Sequence, residues 1–283
     1  MAPDARKTEL VGIDSHIDAV EAEIGLYADP VVYDILHTPG TADESAGLLI
    51  AERFGRIPAD TTRCWLEPAC GSGRLLRLAR SRGIDTIGFD INQAMIEYAS
   101  ARARRTQANA HETYFTASMT DFASQVHRPV TFAFNLINTI RHLGSDEEMF
   151  AHFDEISRVL APGSVYCVGV SLSQYQLEQP SEDVWQATRG ECTVRQVVQY
   201  LPPKEGRVEQ VISHLTIERS GSEEARTSTY TLRTYSHEEW FDLIARSCME
   251  VVEVLSPWGE VMPQRDFGYM LFVLQPKRSV DQC

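Results

Sequence analysis

Residues 64–76 read CWLEPACGSGRLL, and this stretch decides how the rest of the sequence is interpreted. It begins as an apolar run that ends in the carboxylate of Glu67, then turns through Gly71 and Gly73 into leucines at helical spacing. Glycine tolerates backbone conformations that other residues avoid, and it allows close approach of a ligand or a helix. The stretch therefore predicts a strand, a tight turn and a helix, with a closely fitting partner at the turn.

The following segments continue to alternate between strand and helix patterns. GIDTIGFD and VTFAFNLIN are short apolar runs, whereas NQAMIEYASARARR and SDEEMFAHFDEISRVL place apolar residues at helical spacing. Asn92 and Ser145 precede these two helices as N-caps. This order is typical of βαβ units. We predict an α/β, Rossmann-like fold with a seven-stranded, mainly parallel sheet and helices on both faces.

A different pattern follows residue 170. CTVRQVVQYL, GRVEQVISHLTIER and ARTSTYTLRTY alternate polar and apolar residues, which predicts an antiparallel β insertion of three strands. A helix with a capping box at Ser236 and Glu239 comes next, and two apolar runs complete the sheet. The predicted parts are a helical N-terminal lead-in and lid over 1–60, a ligand-binding core over 61–170, the insertion over 171–235, and the last core elements over 236–283.

Composition narrows the class of protein. The chain has 283 residues, 43% of them hydrophobic and 23% charged, and a formal net charge of -14. This acidic balance argues against nucleic acid as a partner. No apolar segment has the length of a signal core or a membrane span, and the cysteines and histidines show no metal-ligand spacing. We expect a cytoplasmic protein with reduced thiols, no metal and no membrane partner.

Three ligand classes compete for the glycine turn. No Gly-Lys-Ser/Thr follows Gly73, which argues against a phosphate-binding P-loop. Leu76 stands where a dinucleotide-binding turn carries its third glycine, and Glu67 would lie beside the anionic pyrophosphate. A ligand with a positive charge near this carboxylate fits the turn better.

The segment from Glu67 to Arg74 resembles the first motif of class I S-adenosylmethionine (SAM)-dependent methyltransferases, an acid followed by Gly-x-Gly-x-Gly. The resemblance implies SAM as the cofactor, S-adenosylhomocysteine as its product, and Glu67, Ala69, Gly71 and Gly73 as cofactor-binding residues. Ala69 occupies the first glycine position. Because alanine carries a methyl group, we expect a negative φ at this residue.

Further cofactor contacts follow from the same resemblance. Asp90, at the tip of the second strand, would accept the ribose hydroxyls, although the residue alone is equally consistent with a helix-capping aspartate. Ile91 would pack on the adenine. Ser118 and Met119, in ASMTDF, stand where relatives carry an Asp-Met pair that binds the adenine amino group, so the backbone there would make that contact. Asp121 is interpreted as a turn cap.

The exit of the fourth strand, FNLINTIRHL, would face the methyl group. It lacks the Asn/Asp-Pro-Pro-Tyr of methyltransferases that act on nucleobases. It is similar to small-molecule N- and O-methyltransferases, including glycine-type and amino-sugar N-methyltransferases, in Asn138, Thr139 and His142. The resemblance implies a cofactor contact for Asn135 and catalytic roles for His142 and Asn138. His142 would serve as a base or position the substrate, or would only bind a backbone carbonyl.

The flanking regions would complete the site. Tyr27 and Tyr33-Asp34 resemble a lid helix that closes over the cofactor, with Tyr33 as a contact, although these side chains could simply pack on the core. The insertion is where this family builds its acceptor pocket. Candidate aromatic walls, each also a candidate core residue, are Trp185, Tyr200, Tyr230 and Trp258.

We therefore expect a SAM-dependent methyltransferase that acts on a small molecule by in-line displacement, with an amine preferred over a hydroxyl as acceptor. Three alternatives remain open: a non-catalytic SAM-binding or interaction protein of the same fold, a nicotinamide-dependent oxidoreductase, and a methyltransferase that acts on a protein side chain. The sequence leaves a homodimer open.

Overall fold

The computed structural model describes residues 25–105, 110–262 and 266–277. The predicted lead-in thus begins in the described structure at residue 25, and residues 1–24 lie outside it. Two helices form this segment, α1 (Pro30–His37) and α2 (Thr41–Ala51). Asp29 caps α1, since its carboxylate accepts hydrogen bonds from the backbone N–H groups of Val31 and Val32.

The core alternates strands and helices as the sequence predicts. Its elements are β1 (Cys64–Pro68), α3 (Arg74–Ser81), β2 (Asp85–Asp90), α4 (Gln93–Ala103), β3 (Glu112–Thr116), β4 (Val130–Asn135), α5 (Asp146–Val159) and β5 (Leu160–Leu172). After the insertion come α6 (His237–Arg246), β10 (Met249–Leu255) and β11 (Gly268–Pro276). The predicted caps at Asn92 and Ser145 and the capping box at Ser236 are present.

The main sheet has seven strands in the order β10-β11-β5-β4-β1-β2-β3. The five strands from β3 to β5 run parallel, whereas β11 is antiparallel to both β5 and β10. The predicted fold is therefore confirmed. The chain moves outward from β1 to β2 and β3 and then returns to β4 on the other side of β1. Ligands of open α/β sheets bind at the carboxyl ends of the strands where the order reverses in this way.

The insertion forms a separate antiparallel sheet of four strands, one more than predicted: β6 (Ser181–Arg189), β7 (Cys192–Leu201), β8 (Val208–Arg219) and β9 (Ser222–Arg233). The sequence pattern misses β6 because it is an edge strand whose residues 181–186 are all exposed. A strand with so few buried side chains shows little polar-apolar alternation.

The lead-in packs on the insertion sheet. Val32, Ile35 and Leu36 of α1 share a buried apolar cluster with Val194 of β7 and Leu215 of β8. The helix α2 packs instead on the core, where Leu48 and Ala51 join the cluster around β1. The lead-in thus bridges the two sheets at the carboxyl edge of the main one.

Within the described ranges, no helix is long and apolar enough to cross a membrane. The same ranges contain no group of His, Cys, Asp and Glu side chains arranged to hold a metal ion.

We expect Leu66→Ala to lower the free energy of unfolding by about 2–5 kcal/mol, because it leaves a cavity in the packed centre of the fold. Leu66 lies in β1, the middle of the parallel strands, and is 0% exposed. Urea denaturation measures the change. Leu177→Ala is the matched control, since Leu177 is 73% exposed and its truncation should change the free energy by less than about 0.5 kcal/mol. Equal effects of the two substitutions would contradict this account of the core.

Candidate active site

A cavity of about 540 Å³ lies where the carboxyl ends of the parallel strands face the insertion sheet. Its walls come from the lead-in, the core and the insertion. The insertion supplies six lining residues: Trp185, Gln196, Val198, Tyr200, Tyr230 and Leu232. We call the part lined by these residues and His142 the acceptor side, and the part lined by Gly71, Asp90 and Ile91 the core side.

The glycine turn forms the floor of the core side. Gly71 and Gly73 have φ values of 51° and 69°, in the left-handed region that favours glycine. A Cβ atom on Gly71 would lie 3.2 Å from Cε1 of Tyr33, and one on Gly73 would lie 2.9 Å from the hydroxyl of Tyr114. Gly71 lines the cavity, whereas Gly73 lies outside it and provides room for Tyr114.

Ala69 also adopts the left-handed conformation, with φ of 50°, so the expectation of a negative φ there is wrong. A left-handed conformation costs an alanine about 1–2 kcal/mol. Hydrogen bonds of the next two residues hold the turn in place despite this cost. The N–H of Cys70 donates to the carbonyl of Phe89 at 2.9 Å, and the N–H of Gly71 donates to Oδ2 of Asp90 at 2.8 Å. Both bonds fasten the turn to β2 and its tip.

Two buried acceptor oxygens converge beside this turn. Glu67 and Asn135, at the ends of β1 and β4, are 8% and 1% exposed. Oε2 of Glu67 and Oδ1 of Asn135 have no hydrogen-bond partner in the described parts of the chain. Both residues line a second, small pocket of about 20 Å³, which shares Tyr33 and Ala69 with the main cavity. Unpaired buried acceptors are costly, so this pocket favours a ligand that brings N–H donors.

The charge state of Glu67 depends on what occupies the pocket. Burial raises the pKa of its carboxyl well above the usual value, and the guanidinium of Arg74 opposes that shift. Arg74 itself is paired with Glu44 at 2.5 Å and donates to the hydroxyl of Thr41 at 3.1 Å. A cationic group near Glu67 would stabilise the carboxylate form.

Asp90 is both a structural acceptor and a cavity residue. Its Oδ2 accepts the N–H of Gly71, and its Oδ1 accepts the N–H of Asn92 at 2.9 Å. The backbone N–H of Ile91 also bonds to this carboxylate, which has about four acceptor positions, so at least one remains for a ligand hydroxyl. Burial raises the pKa of this carboxyl, against the lowering effect of the backbone N–H groups. Asp90 can therefore support the start of α4 through Asn92 and still accept a ligand hydroxyl, so the two interpretations from the sequence are compatible.

Ile91, Ser118 and Met119 form another wall of the core side, and all three line the cavity. Ile91 is 56% exposed and presents apolar surface there. The hydroxyl of Ser118 is engaged within its own turn, where it accepts the N–H of Thr120 at 3.2 Å. Asp121 is exposed and does not line the cavity.

His152 supports this wall from below and was not identified from the sequence. Its Nδ1 lies 2.9 Å from the carbonyl oxygen of Met119, and its Nε2 lies 2.8 Å from the hydroxyl of Tyr166. Burial lowers the pKa of His152 to about 4. His152 lies on the apolar face of α5, and nothing in the neighbouring sequence indicates that it contacts Met119 and Tyr166.

The exit of β4 is shaped by backbone strain and side-chain contacts. Ile137 and Asn138 have φ values of 49° and 64°. The amide of Asn138 is bonded to Ser171, with its Oδ1 2.6 Å from the backbone nitrogen and its Nδ2 3.0 Å from Oγ. The N–H of Ile137 donates to the hydroxyl of Tyr269 at 2.9 Å, and that hydroxyl occupies the space of a Cβ on Gly169, 2.0 Å away. Asn138 lines the cavity, but its amide is used to hold this turn.

His142 lies on the acceptor side between two tyrosines. Its ring stacks on Tyr230 with centroids 5.7 Å apart, and Tyr27 contacts it edge-on at 5.8 Å. Burial lowers the pKa of the imidazole to about 4, and the neighbouring charge of Arg141 adds to the shift. His142 is therefore neutral at pH 7, with a ring nitrogen able to accept a hydrogen bond or a proton.

The lead-in covers both sides of the cavity. Tyr33 lies against Gly71 on the core side, and its ring contacts that of His37 with centroids 4.5 Å apart. His37 in turn lies 6.1 Å from Trp185, measured between ring centroids. Burial lowers the pKa of His37 to about 3. The face of α1 that carries Tyr33 and His37 thus contacts both the core side and the acceptor side.

One candidate aromatic wall residue lies elsewhere. Trp258 is 66% exposed and does not line the cavity, because it stands in the turn after β10. His214 is exposed on β8 and lies 3.1 Å from the hydroxyl of Thr227. Conversely, sequence reasoning missed Glu148 and Gln196 as lining residues. The polar-apolar alternation of β7 could have identified Gln196, since it shares a face with Val194 and Val198.

Comparisons with known proteins agree with this architecture. Residues 66–163 match the family model of a methyltransferase domain. No curated protein sequence matches the chain at a significant level. A SAM-dependent methyltransferase from Clostridium acetobutylicum has a similar structure, with a TM-score of 0.67 and 12% identity over 87% of this chain and 96% of that one.

Two further solved structures are similar. DesVI from Streptomyces venezuelae has a TM-score of 0.66 and 22% identity over 87% of this chain and 98% of that one. The sugar N-methyltransferase KedS8 from a Streptoalloteichus species has a TM-score of 0.60 and 18% identity over 98% and 99%. Residues 66–163 are therefore a methyltransferase domain, within a chain that has the fold of the class I SAM-dependent methyltransferases, as the sequence predicts.

Proposed function

We propose that this protein transfers a methyl group from SAM to a nitrogen atom of a small-molecule acceptor. The observation that carries the proposal is the pair of unpartnered acceptor oxygens on Glu67 and Asn135 beside the glycine turn. The methionine end of SAM carries an ammonium group, which would satisfy both. A phosphate at this position would instead face a carboxylate.

The core side offers contacts for the ribose and the adenine of the cofactor. Asp90 keeps at least one acceptor position for a ribose hydroxyl, and Ile91 and Met119 present apolar surface to the adenine. Gly71 and Ala69 allow the chain to approach closely. When bound, SAM supplies a methyl group on a sulfonium, so the leaving group is already activated. The protein then has to align the acceptor and exclude water.

The acceptor side is suited to a small molecule with an amine. Tyr27, Tyr230, Tyr200 and Trp185 line it with apolar surface and hydroxyl groups. The neutral imidazole of His142 is placed to accept a hydrogen bond from the amine. KedS8, which is similar in structure, is a sugar N-methyltransferase, and this supports an amino sugar or a related amine as acceptor.

The low pKa of His142 favours nitrogen over oxygen as the acceptor atom. A base with a pKa of about 4 is too weak to remove the proton of an alcohol. A neutral amine attacks through its lone pair without prior deprotonation, and the ammonium that forms loses its proton to solvent. His142 can therefore orient an amine by accepting its hydrogen bond, whereas it cannot activate a hydroxyl.

A direct test combines binding with turnover. Isothermal titration should give tighter binding of S-adenosylhomocysteine than of NADH, and methyl transfer should occur on amino sugars but not on their hydroxyl analogues. Binding without turnover on any amine would support a non-catalytic protein instead. Methylation of protein side chains in preference to small amines would support a macromolecular acceptor, and tighter binding of NADH would overturn the proposal.

Asp90→Ala should weaken binding of S-adenosylhomocysteine by at least about 10-fold, or about 1.4 kcal/mol, since the ribose hydroxyls lose their acceptor. Isothermal titration measures this affinity, and circular dichroism checks that the variant is folded. Asp121→Ala is the control, because Asp121 is exposed and does not line the cavity. An unchanged affinity in Asp90→Ala would show that Asp90 serves the turn alone.

His142→Gln should lower kcat on an amine acceptor by about 10²-fold while the affinity for S-adenosylhomocysteine changes little, because His142 lies on the acceptor side. Steady-state kinetics and isothermal titration give the two values. His214→Gln, on the exposed face of the insertion, should behave like the wild type. Equal rates for the His142 variant and the wild type would assign that ring a packing role.

The pH dependence of stability should reflect the buried ring of His142. Its pKa is about 4 when folded and about 6.5 when unfolded, so the unfolded state binds more protons between these values. The free energy of unfolding therefore falls as the pH is lowered through this window, by up to about 1.4 kcal/mol per pH unit for one such histidine. Urea denaturation at several pH values should show a smaller slope of the free energy of unfolding against pH for His142→Phe than for the wild type. Equal slopes would mean that His142 titrates normally.

A further inference from the structure

Asp34 in α1 has a fully buried carboxylate that the proposed reaction does not use. Its Oδ1 accepts the hydroxyl of Ser72 at 2.8 Å and pairs with Arg77 at 2.5 Å. Its Oδ2 accepts the hydroxyl of Tyr98 at 2.8 Å and pairs with Arg189 at 2.9 Å. One side chain thus gathers four close partners, and Nε of Arg102 lies 3.9 Å from its Oδ2 as a fifth, in a place where an unpaired charge would be costly.

These partners come from four separate elements of the fold. Ser72 stands in the glycine turn between Gly71 and Gly73, and Arg77 follows in α3. Tyr98 belongs to α4, and Arg189 is the last residue of β6 in the insertion sheet. The carboxylate therefore joins the core side of the cavity to the sheet that forms its acceptor side.

Arg189 is the connection to the insertion. Besides the carboxylate of Asp34, its guanidinium donates to the backbone carbonyl of Asp34 and to the hydroxyl of Thr38, both at 3.1 Å, and to the hydroxyl of Tyr98 at 3.3 Å. Four residues earlier on the same strand, Trp185 lines the cavity. A movement of α1 is thus passed to the strand that carries Trp185.

The neighbours of Asp34 on α1 contact the site on both sides. Tyr33 lies against Gly71 on the core side, and His37 approaches Trp185 on the acceptor side. Any change that shifts α1 therefore alters both walls together. Ion pairs and hydrogen bonds that meet at one residue form a contiguous network of the kind that can carry coupling between two sites.

We propose that Asp34 is a positioning residue that, through its ion pair with Arg189, couples the glycine turn and lid helix to the acceptor sheet. Occupancy of the core side then fixes the acceptor wall, and the acceptor wall reciprocally affects affinity at the core side. The ligand part of this inference rests on the proposed function. The mechanical coupling of α1, the turn and β6 does not.

Arg189→Met tests the coupling without removing the buried carboxylate. Arg77 and the two hydroxyl donors still stabilise Asp34 in this variant, and the side chain of Arg189 is 36% exposed, so the fold should persist. Arg195→Met is the matched control. Arg195 lies on the adjacent strand β7 of the same sheet and is exposed to solvent.

Hydrogen–deuterium exchange of the ligand-free proteins gives the first readout. In Arg189→Met, exchange should accelerate about 5- to 10-fold in residues 30–37 and 69–73, while β1 and β4 keep wild-type rates. Arg195→Met should match the wild type throughout. Acceleration confined to the insertion, or spread evenly over the whole chain, would overturn the proposal because the turn and α1 would not be specifically linked to β6.

Titration with S-adenosylhomocysteine gives the second readout. Its dissociation constant should rise about 5- to 10-fold in Arg189→Met, although Arg189 does not line the cavity, and stay within 2-fold in Arg195→Met. A lower melting temperature with an unchanged dissociation constant would assign Arg189 a structural role only and overturn the coupling. If the wild type fails to bind S-adenosylhomocysteine, the proposed function fails, and the exchange experiment still decides the mechanical coupling.

Discussion

The structure of the site depends on one constraint: between β1 and α3 the chain must turn with three residues, Ala69, Gly71 and Gly73, in the left-handed conformation. The hydrogen bond from the N–H of Gly71 to Asp90 fastens this turn to β2. It leaves Glu67 just before the bend with one oxygen unpaired. Because Gly71 has no side chain, the ring of Tyr33 packs directly on the backbone of the same turn. This turn therefore determines the floor of the cavity, the packing of α1 over it and the position of the Glu67 and Asp90 carboxyl groups beside it.

Local patterns predicted what depends on nearby residues. Periodicity gave the alternating strands and helices, and single residues such as Asn92 and Ser236 marked helix starts because capping contacts span only a few positions. The strand β6 was missed because its first six residues are all exposed. The contacts of His152 and Tyr269 could not be predicted, because each contact joins residues that are distant in sequence. No motif next to either residue indicates its partner.

The site residues divide in the same way. Glu67, Asp90 and Gly71 could be identified because they belong to one short motif or to a strand tip. The conformation of Ala69 could not, since its φ depends on the hydrogen bonds that Cys70 and Gly71 make with β2. Electrostatics depend on burial as well. His37, His142 and His152 are ordinary imidazoles in the sequence, and their low pKa values follow mainly from burial, which local sequence does not show.

The contact between Tyr269 and Gly169 places a limit on variation in this fold. The tyrosine hydroxyl fills the space of a missing side chain on β5 while it holds the N–H of Ile137 at the mouth of β4. A larger residue at position 169 would displace that ring, and the loop that carries Asn138 would lose its support from the final strand. Homologues should therefore change positions 169 and 269 together. Any side chain at position 169 requires a smaller residue at position 269, and the loop that follows β4 must then adopt a different shape.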